Sequence, residues 1–137
     1  METSLNTSKH THLNLGKIGE EYAAAHLEQS GYRLVAANFT LPVGRNRRDA
    51  VITAELDLVA YDGPILCFVE VKTRSTRDVK PAELAVDYDK QRELRIMARE
   101  YLRLLPTSPQ YRFDIVSVYY DRELPQFELF QNAFALS

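Results

Sequence analysis

The sequence predicts an α/β fold, a single domain in which a five-stranded mixed central sheet is flanked by helices. Two observations carry that expectation. Hydrophobic spacing switches along the chain between helical and alternating, in the order helix, three strands, helix, two strands. Length and composition bound the answer: 137 residues, 45% hydrophobic and 26% charged, suit one compact domain and leave too little chain for two. No internal repeat or low-complexity tract interrupts the pattern.

Residues 1–13, rich in Ser, Thr, His and Asn, read as a flexible N-terminal tail, and residues 14–137 as the folded domain. Asn14 is placed to cap a helix in which Leu15, Ile18, Tyr22 and Ala25 recur at helical spacing, with Ala23 and Leu27 on the flank. Gly31 stands where a left-handed residue would end it. At about 100° per residue Glu21 and Glu28 face solvent, whereas Glu20 lies beside Leu27 and close to Gly16 and Ala23. Glu20 therefore borders the buried face. RLVAANF reads as a first strand, LPVGRNRRDA as a loop and VITAELDLVAY as a second strand. The turn signal Asp62-Gly63-Pro64 then leads into a third strand, ILCFVEVKT, so these two form a hairpin. Residues 81–105 are helical: a short PAELAV segment, then DKQRELRIMAREYLRLL, with Leu94, Met97, Ala98, Tyr101 and Leu105 along one face. Lys90 precedes Leu94 by four residues and points with that apolar face, and Pro106 and Pro109 stop the helix. RFDIVSVYY and QFELF supply the last two strands, joined by the polar turn DRELP.

Several function classes drop out on composition. A single cysteine, Cys67, excludes an intramolecular disulfide framework and a Cys-rich zinc site; inside ILCFV it reads as a buried thiol in a reducing compartment. His10 and His12 lack a third ligand nearby and read as tail residues. No apolar run approaches the ~18–20 residues of a membrane span, and METSLNTSKHTHLN lacks a signal-peptide core. The expectation is a cytoplasmic protein without membrane association.

The informative stretch is AELDLVAYDGPILCFVEVKTR. Strand alternation puts Glu55 and Asp57 on one face with Leu56 and Leu58 on the other, and groups Phe68, Glu70 and Lys72 against Val69 and Val71. A loop over residues 62–65 pairs Tyr61 with Leu66, which sets Asp57 opposite Glu70 and Glu55 opposite Lys72; an odd loop would slip this register by one. Carboxylates so close repel unless a cation sits between them. Lys72 or a metal ion would supply it. Mg²⁺ (or Mn²⁺) suits an oxygen site of one or two carboxylates whose other ligands are waters and phosphate oxygens. Lys72 would then orient or deprotonate an attacking water or offset charge on the phosphate, which is phosphodiester hydrolysis in outline. The plainer alternative is a satisfied cross-strand network, Glu55 with Lys72 and Asp57 held by turn amides, and ExK alone is too short to decide. Glu20 and Lys90 tip the balance, because each charge at a buried edge needs a partner.

Four ordered segments, LGKIGEEYAAAHLEQSGYRLVAANF, ELDLVAYDGPILCFVEVKTR, AVDYDKQRELRIMAREYL and RFDIVSV, resemble those of the UPF0102 (YraN-like) family. That resemblance covers most of the chain from Leu15 on and implies a restriction-endonuclease-like fold similar to archaeal Holliday junction resolvases. It implies Glu20 as the helix carboxylate, Asp57 as the first strand acid, and Glu70 and Lys72 as the acid and lysine of the ExK element. Glu55 falls on the glutamate of a GEIDLI-like segment, and Lys90 with Gln91 on the second-helix block. Glu20, Asp57, Glu70, Lys72 and Lys90 are thus the expected catalytic set, and Asp57, Glu70 and Glu20 the expected metal ligands. Two departures stand out: Ala54 replaces a usual Gly, and residues 40–54 form a longer segment carrying Arg45, Arg47 and Arg48.

The formal charge of -2 does not itself favour nucleic acid. Resolved by segment it is a cancellation: residues 72–103 hold nine basic and six acidic side chains, between two acidic flanks. Arg45, Arg47, Arg48, Arg74, Arg77 and Lys80 are the cations expected to meet backbone phosphates. DNA is the expected partner, branched or structured DNA above all. RNA stays open because nothing reads a 2′-hydroxyl, and a homodimer stays open because no heptad marks an interface. The alternative function is a non-catalytic nucleic-acid- or partner-binding protein that keeps the nuclease fold.

Overall fold

The computed structural model describes residues 12–74, 87–120 and 123–135, with side chains from residue 16 onward. Most of the expected tail with His10, the PAELAV segment, part of the DRELP turn, Arg77 and Lys80 lie outside the described residues. The elements are α1 (His12–Gln29), β1 (Arg33–Arg45), β2 (Val51–Asp62), β3 (Ile65–Arg74), α2 (Tyr88–Arg103), β4 (Tyr111–Tyr119) and β5 (Gln126–Phe134). They build one five-stranded sheet in the order β1-β2-β3-β4-β5. Its pairings are antiparallel except for β3 with β4, which are parallel and joined by the crossover that carries α2. The expected mixed sheet with flanking helices is what the chain forms, and it is compatible with a restriction-endonuclease-like layout.

Boundaries moved where local signals misled. Helix α1 begins at His12, so Asn14 lies within its first turn and not ahead of it as a cap. Strand β1 runs on through LPVGR, and the expected loop shrinks to residues 46–50. Pro42 and Gly44 read as loop residues, but β1 is an edge strand, where proline costs no ladder hydrogen bond, and a register shift between Pro42 and Gly44 absorbs the glycine. Asn46 closes the shortened turn: its Oδ1 accepts from Arg48 N at 2.9 Å and Ala50 N at 3.0 Å. The other edge strand, β5, extends beyond QFELF to Phe134.

The two helices cover opposite faces. Ala23 and Leu27 of α1 pack with Leu58, Ala60, Cys67, Val69, Val116 and Val118. Leu94, Met97 and Ala98 of α2 pack with Leu56, Val59, Leu66, Phe68, Phe113 and Ile115. Buried on both faces, β3 and β4 read as nearly continuous apolar runs, as central strands do. Cys67 is fully covered, and burial pushes its thiol up to about 12, so it is an inert core residue. At the closed end of the β2–β3 hairpin, Arg112 donates to Asp62 (2.8 Å), Asp114 (2.9 Å) and the Tyr32 hydroxyl (2.9 Å). Asp114, with no exposed surface, also accepts from Asn132 N, so this network ties the hairpin turn to β4, β5 and the start of β1.

Gly19 sets how closely α1 approaches the sheet. A Cβ there would collide with Oγ1 of Thr73 on β3, and the missing side chain lets the next residue, Glu20, reach the strands. Gly19→Ala should therefore destabilise: overpacking costs about 1–3 kcal/mol, against roughly 1 kcal/mol gained in helix propensity. In a Thr73→Ala background the collision is gone and the same substitution should raise stability. Thermal or urea unfolding of the four proteins checks this, and equal destabilisation in both backgrounds would show that the close approach is not what requires glycine.

Candidate active site

The hairpin register begins as expected, Asp62↔Ile65 and Tyr61↔Leu66, and ends at Leu58↔Val69. Beyond that rung β2 and β3 part, so Asp57 and Glu70 are not ladder partners, nor are Glu55 and Lys72. The expected cross-strand pairs are corrected in this respect. Instead the Asp57 carboxylate enters the fork, and its Oδ2 accepts from the backbone N–H of Val71 at 2.9 Å. A side chain has taken the place of the departing strand as partner for that amide.

A matching irregularity lies one strand further out. Pairing of β1 with β2 steps from Ala37↔Leu58 to Phe39↔Leu56, leaving out Asn38 and Asp57, and Asn38 has a φ of 52°. Phe39 and Leu56 belong to the α2 face. Leu58 belongs to the α1 face, and Ala37 lines a cleft there with Lys17, Glu20, Glu21, Ala24 and Asn38. Both strands thus skip a beat at one rung, and strict alternation, which put Leu56 and Leu58 together, fails there.

The skipped rung brings acids from three elements together. Glu20 of α1 and Glu70 of β3 each feel the Asp57 carboxylate closely enough that its charge raises them both. Asp57 is 8% exposed and Glu70 5%. Glu70 Oε2 meets Lys72 Nζ at 3.5 Å and Lys90 Nζ at 3.9 Å, whereas Oε1 is buried without a hydrogen-bond partner. Lys90 is delivered by the first turn of α2, whose N-cap Asp87 accepts from Lys90 N at 2.8 Å. Glu55 finds the Asn38 carboxamide and not Lys72. In the orientation that satisfies both its ends, the Asn38 amide nitrogen donates to Glu20 Oε1 at 2.7 Å and Glu55 Oε2 at 2.8 Å. All five expected catalytic residues therefore converge.

Sequence reasoning missed Asn38, whose only signal is an asparagine, a poor strand former tolerant of left-handed backbone, inside RLVAANF. It also missed Ser117, the ladder neighbour of Lys72, which is fully buried with an unpartnered Oγ. The expected phosphate-binding cations divide. Arg45, Arg47 and Arg48 are exposed at the β1–β2 turn, where Arg45 is held by Asp49, its NH1 donating to the Asp49 carbonyl at 2.7 Å. Arg74 is half-buried at the end of β3, with its Nε unpartnered.

The acids are short of positive charge. Burial, then the Asp57 and Glu55 charges, raises Glu20 to about 7 against the partial relief of Lys17. Burial first, then Asp57, also holds Glu70 well above the usual carboxylate range, although Lys90 and Lys72 pull it down. Among the described residues no three His, Cys, Asp or Glu side chains already close on one point as an ion cage. The donor set nevertheless fits a hard cation that takes one or two carboxylates and keeps its waters: Glu70 Oε1 is an orphaned buried oxygen, and the Asp57 charge acts on the same carboxyl group.

A family model described as "Uncharacterised protein family UPF0102" matches residues 19–118. The chain is 46% identical to a UPF0102 protein of Koribacter versatilis over 126 residues, covering 92% of this chain and 82% of the relative. A UPF0102 protein of Solibacter usitatus is 43% identical over 122 residues, covering 88% and 86%. One from Pelotomaculum thermopropionicum is 37% identical over 123 residues, covering 88% and 94%. The matched span contains Glu20, Asn38, Asp57, Glu70, Lys72 and Lys90.

A stability signature follows from the raised carboxyls. Glu20 and Glu70 bind protons more tightly folded than at the ordinary value of 4.5, so between pH 4.5 and about 7 the folded state holds more protons. Their contribution is fully present below the ordinary value and is lost as pH rises through the folded one. Without divalent ions, Tm should fall between pH 5 and pH 8, and Glu70→Gln should flatten that slope. Scanning calorimetry in chelator tests this; a Tm that rises over the range in wild type and variant alike would contradict the raised carboxyls.

Proposed function

The chain belongs to the UPF0102 family, and on that premise we propose that it is a divalent-metal-dependent endonuclease hydrolysing phosphodiester bonds in DNA, branched or structured DNA above all. The observation that carries the reading is the fork between β2 and β3. Two buried carboxylates and two lysines meet there, and one Glu70 oxygen lacks a partner. Asp57 and Glu70 would hold Mg²⁺ (or Mn²⁺), with Glu20 completing the shell directly or through water. Bound there, the ion would supply positive charge that polarises the phosphate and favours ionisation of water. Lys72 orients the attacking water or helps remove its proton, and Lys90 binds a phosphate oxygen; both already face Glu70. The water oxygen bonds to phosphorus and gives up a proton to solvent or to Lys72 in its neutral form, the bond to one sugar oxygen breaks, and that oxygen takes up a proton. Arg74 and the exposed Arg45, Arg47 and Arg48 would meet flanking phosphates, and Arg77 and Lys80 extend the basic run in the sequence. RNA presents the same phosphodiester and is the second substrate to compare, and a homodimer would suit a two-fold junction.

One observation favours a second reading. Glu70 is already paired with two lysines, and among the described residues no three-acid cage is formed, as a non-catalytic nucleic-acid- or partner-binding protein of this fold would also show.

The decisive experiment incubates the full chain with four-way-junction DNA, linear DNA and RNA, in Mg²⁺, Mn²⁺ or chelator. Cleavage of DNA should require the ion, and Asp57→Ala and Lys72→Ala should each lower it by about 100-fold or more. Equal activity in wild type and both variants would assign the cleavage to a contaminant. Chelator-insensitive, salt-sensitive DNA binding with no turnover would favour the second reading, and preferential cleavage of RNA would change the substrate class.

A further inference from the structure

The paired irregularity at Asn38 and Asp57 serves an end beyond opening the fork. Asn38 sits in mid-strand with a φ of 52°, a conformation that asparagine and glycine adopt at least cost. Glycine would satisfy the backbone alone. With its amide nitrogen turned toward the acids, the orientation that satisfies both of its ends, the asparagine side chain spans two carboxylates from different elements, Glu20 on α1 and Glu55 on β2, at 2.7 and 2.8 Å. An arginine or lysine in its place would hold the same carboxylates, but its charge would cancel theirs and oppose any cation nearby. A carboxamide is a donor without charge. It fixes the two acids while leaving their negative charge in the site. Glu55 acts as the counter-anchor: it takes the second N–H and so sets the amide plane that presents the first to Glu20.

Resting on the metal-dependent reading of the site, we infer that Asn38 is a positioning residue. Its amide, anchored by Glu55, holds the Glu20 carboxylate beside Asp57 so that Glu20 contributes to divalent-cation binding. The role runs through Glu20 and not through contact with substrate. Outer-shell partners of this kind orient the ligand they hold, and losing one costs ion affinity or activity; because Asn38 reaches the ion only through Glu20, the loss here falls on affinity.

The test is Mn²⁺ titration calorimetry on the full chain, for wild type, Asn38→Gly, Glu20→Gln, the double variant and Asp57→Ala. Glycine is chosen because it accepts the same φ, and Tm within about 8 °C of wild type verifies the fold. Asn38→Gly should weaken Mn²⁺ binding by about 10–100-fold, and in the Glu20→Gln background it should weaken binding little further, the non-additivity of two residues acting as one unit. In cleavage assays the Mg²⁺ concentration for half-maximal rate should rise while the rate at saturating Mg²⁺ is largely kept. Unchanged Mn²⁺ affinity in Asn38→Gly, with binding lost in Asp57→Ala, would overturn this inference and leave the metal site standing. Equal losses in both backgrounds would overturn the route through Glu20. A wild type that takes up no Mn²⁺, or an Asp57→Ala that binds as well as wild type, would overturn the metal site and this inference with it.

Discussion

The hydrogen bond from Val71 N–H to the Asp57 carboxylate, 2.9 Å long, is the contact on which the rest of the site depends. A sheet whose strands separate leaves backbone amides without partners, and a buried amide without a partner is costly. Asp57 removes that cost at the first rung after the split. The same bond points one carboxylate between two helices: Glu20 approaches from α1 and Lys90 from α2, while Glu70 and Lys72 project from the strand that donates it. Closure at the other end is just as firm, because the Arg112 network locks the hairpin turn to β1, β4 and β5. A fork rigid at its base and open at its mouth can hold charged groups at fixed separations.

Within that fork, folding and electrostatics are in conflict. Asp57 and Glu70 are almost fully covered, Glu20 is half-covered, and Glu55 adds a fourth negative group. Lys72 and Lys90 offset part of this, but both reach the same oxygen of Glu70, and the raised Glu20 and Glu70 record the remainder. Clusters of like charge with perturbed protonation concentrate at functional sites because a well-satisfied core has no reason to keep them. The contrast with Asp114 is instructive. That carboxylate is equally buried, yet Arg112, Tyr32 and Asn132 satisfy it, and it needs no further ligand.

The basic residues also separate by role. Arg92 is paired with Asp89 and Arg103 with Glu100, while Arg95 donates to Gln91 and the Ala135 carbonyl. Those three cations of residues 72–103 have partners on or beside α2, so the basic excess of that segment is not all free to meet phosphate. Lys72, Lys90 and Arg74 lie at or beside the fork, and the β1–β2 turn projects its arginines into solvent.

Much was legible in the sequence because it rests on local pattern. Apolar spacing identified the helices and strands, the Asp62-Gly63-Pro64 turn set the register from Asp62↔Ile65 to Leu58↔Val69, and the ExK element with Glu20 and Lys90 named the acids and lysines that meet. Periodicity reports which face a side chain occupies only while a strand stays regular. At Asn38 and Asp57 both strands leave that regularity together, and no local rule announces two compensating irregularities on strands separated by a turn. Only the tertiary structure therefore decided that β2 leaves β3, that Glu55 answers to Asn38 and not to Lys72, and that Asp57 completes the edge of β3. The sequence by itself determined which groups were present and roughly where along each element they stood. Their convergence depended on how two faces of one sheet were packed, through contacts between residues far apart in the chain.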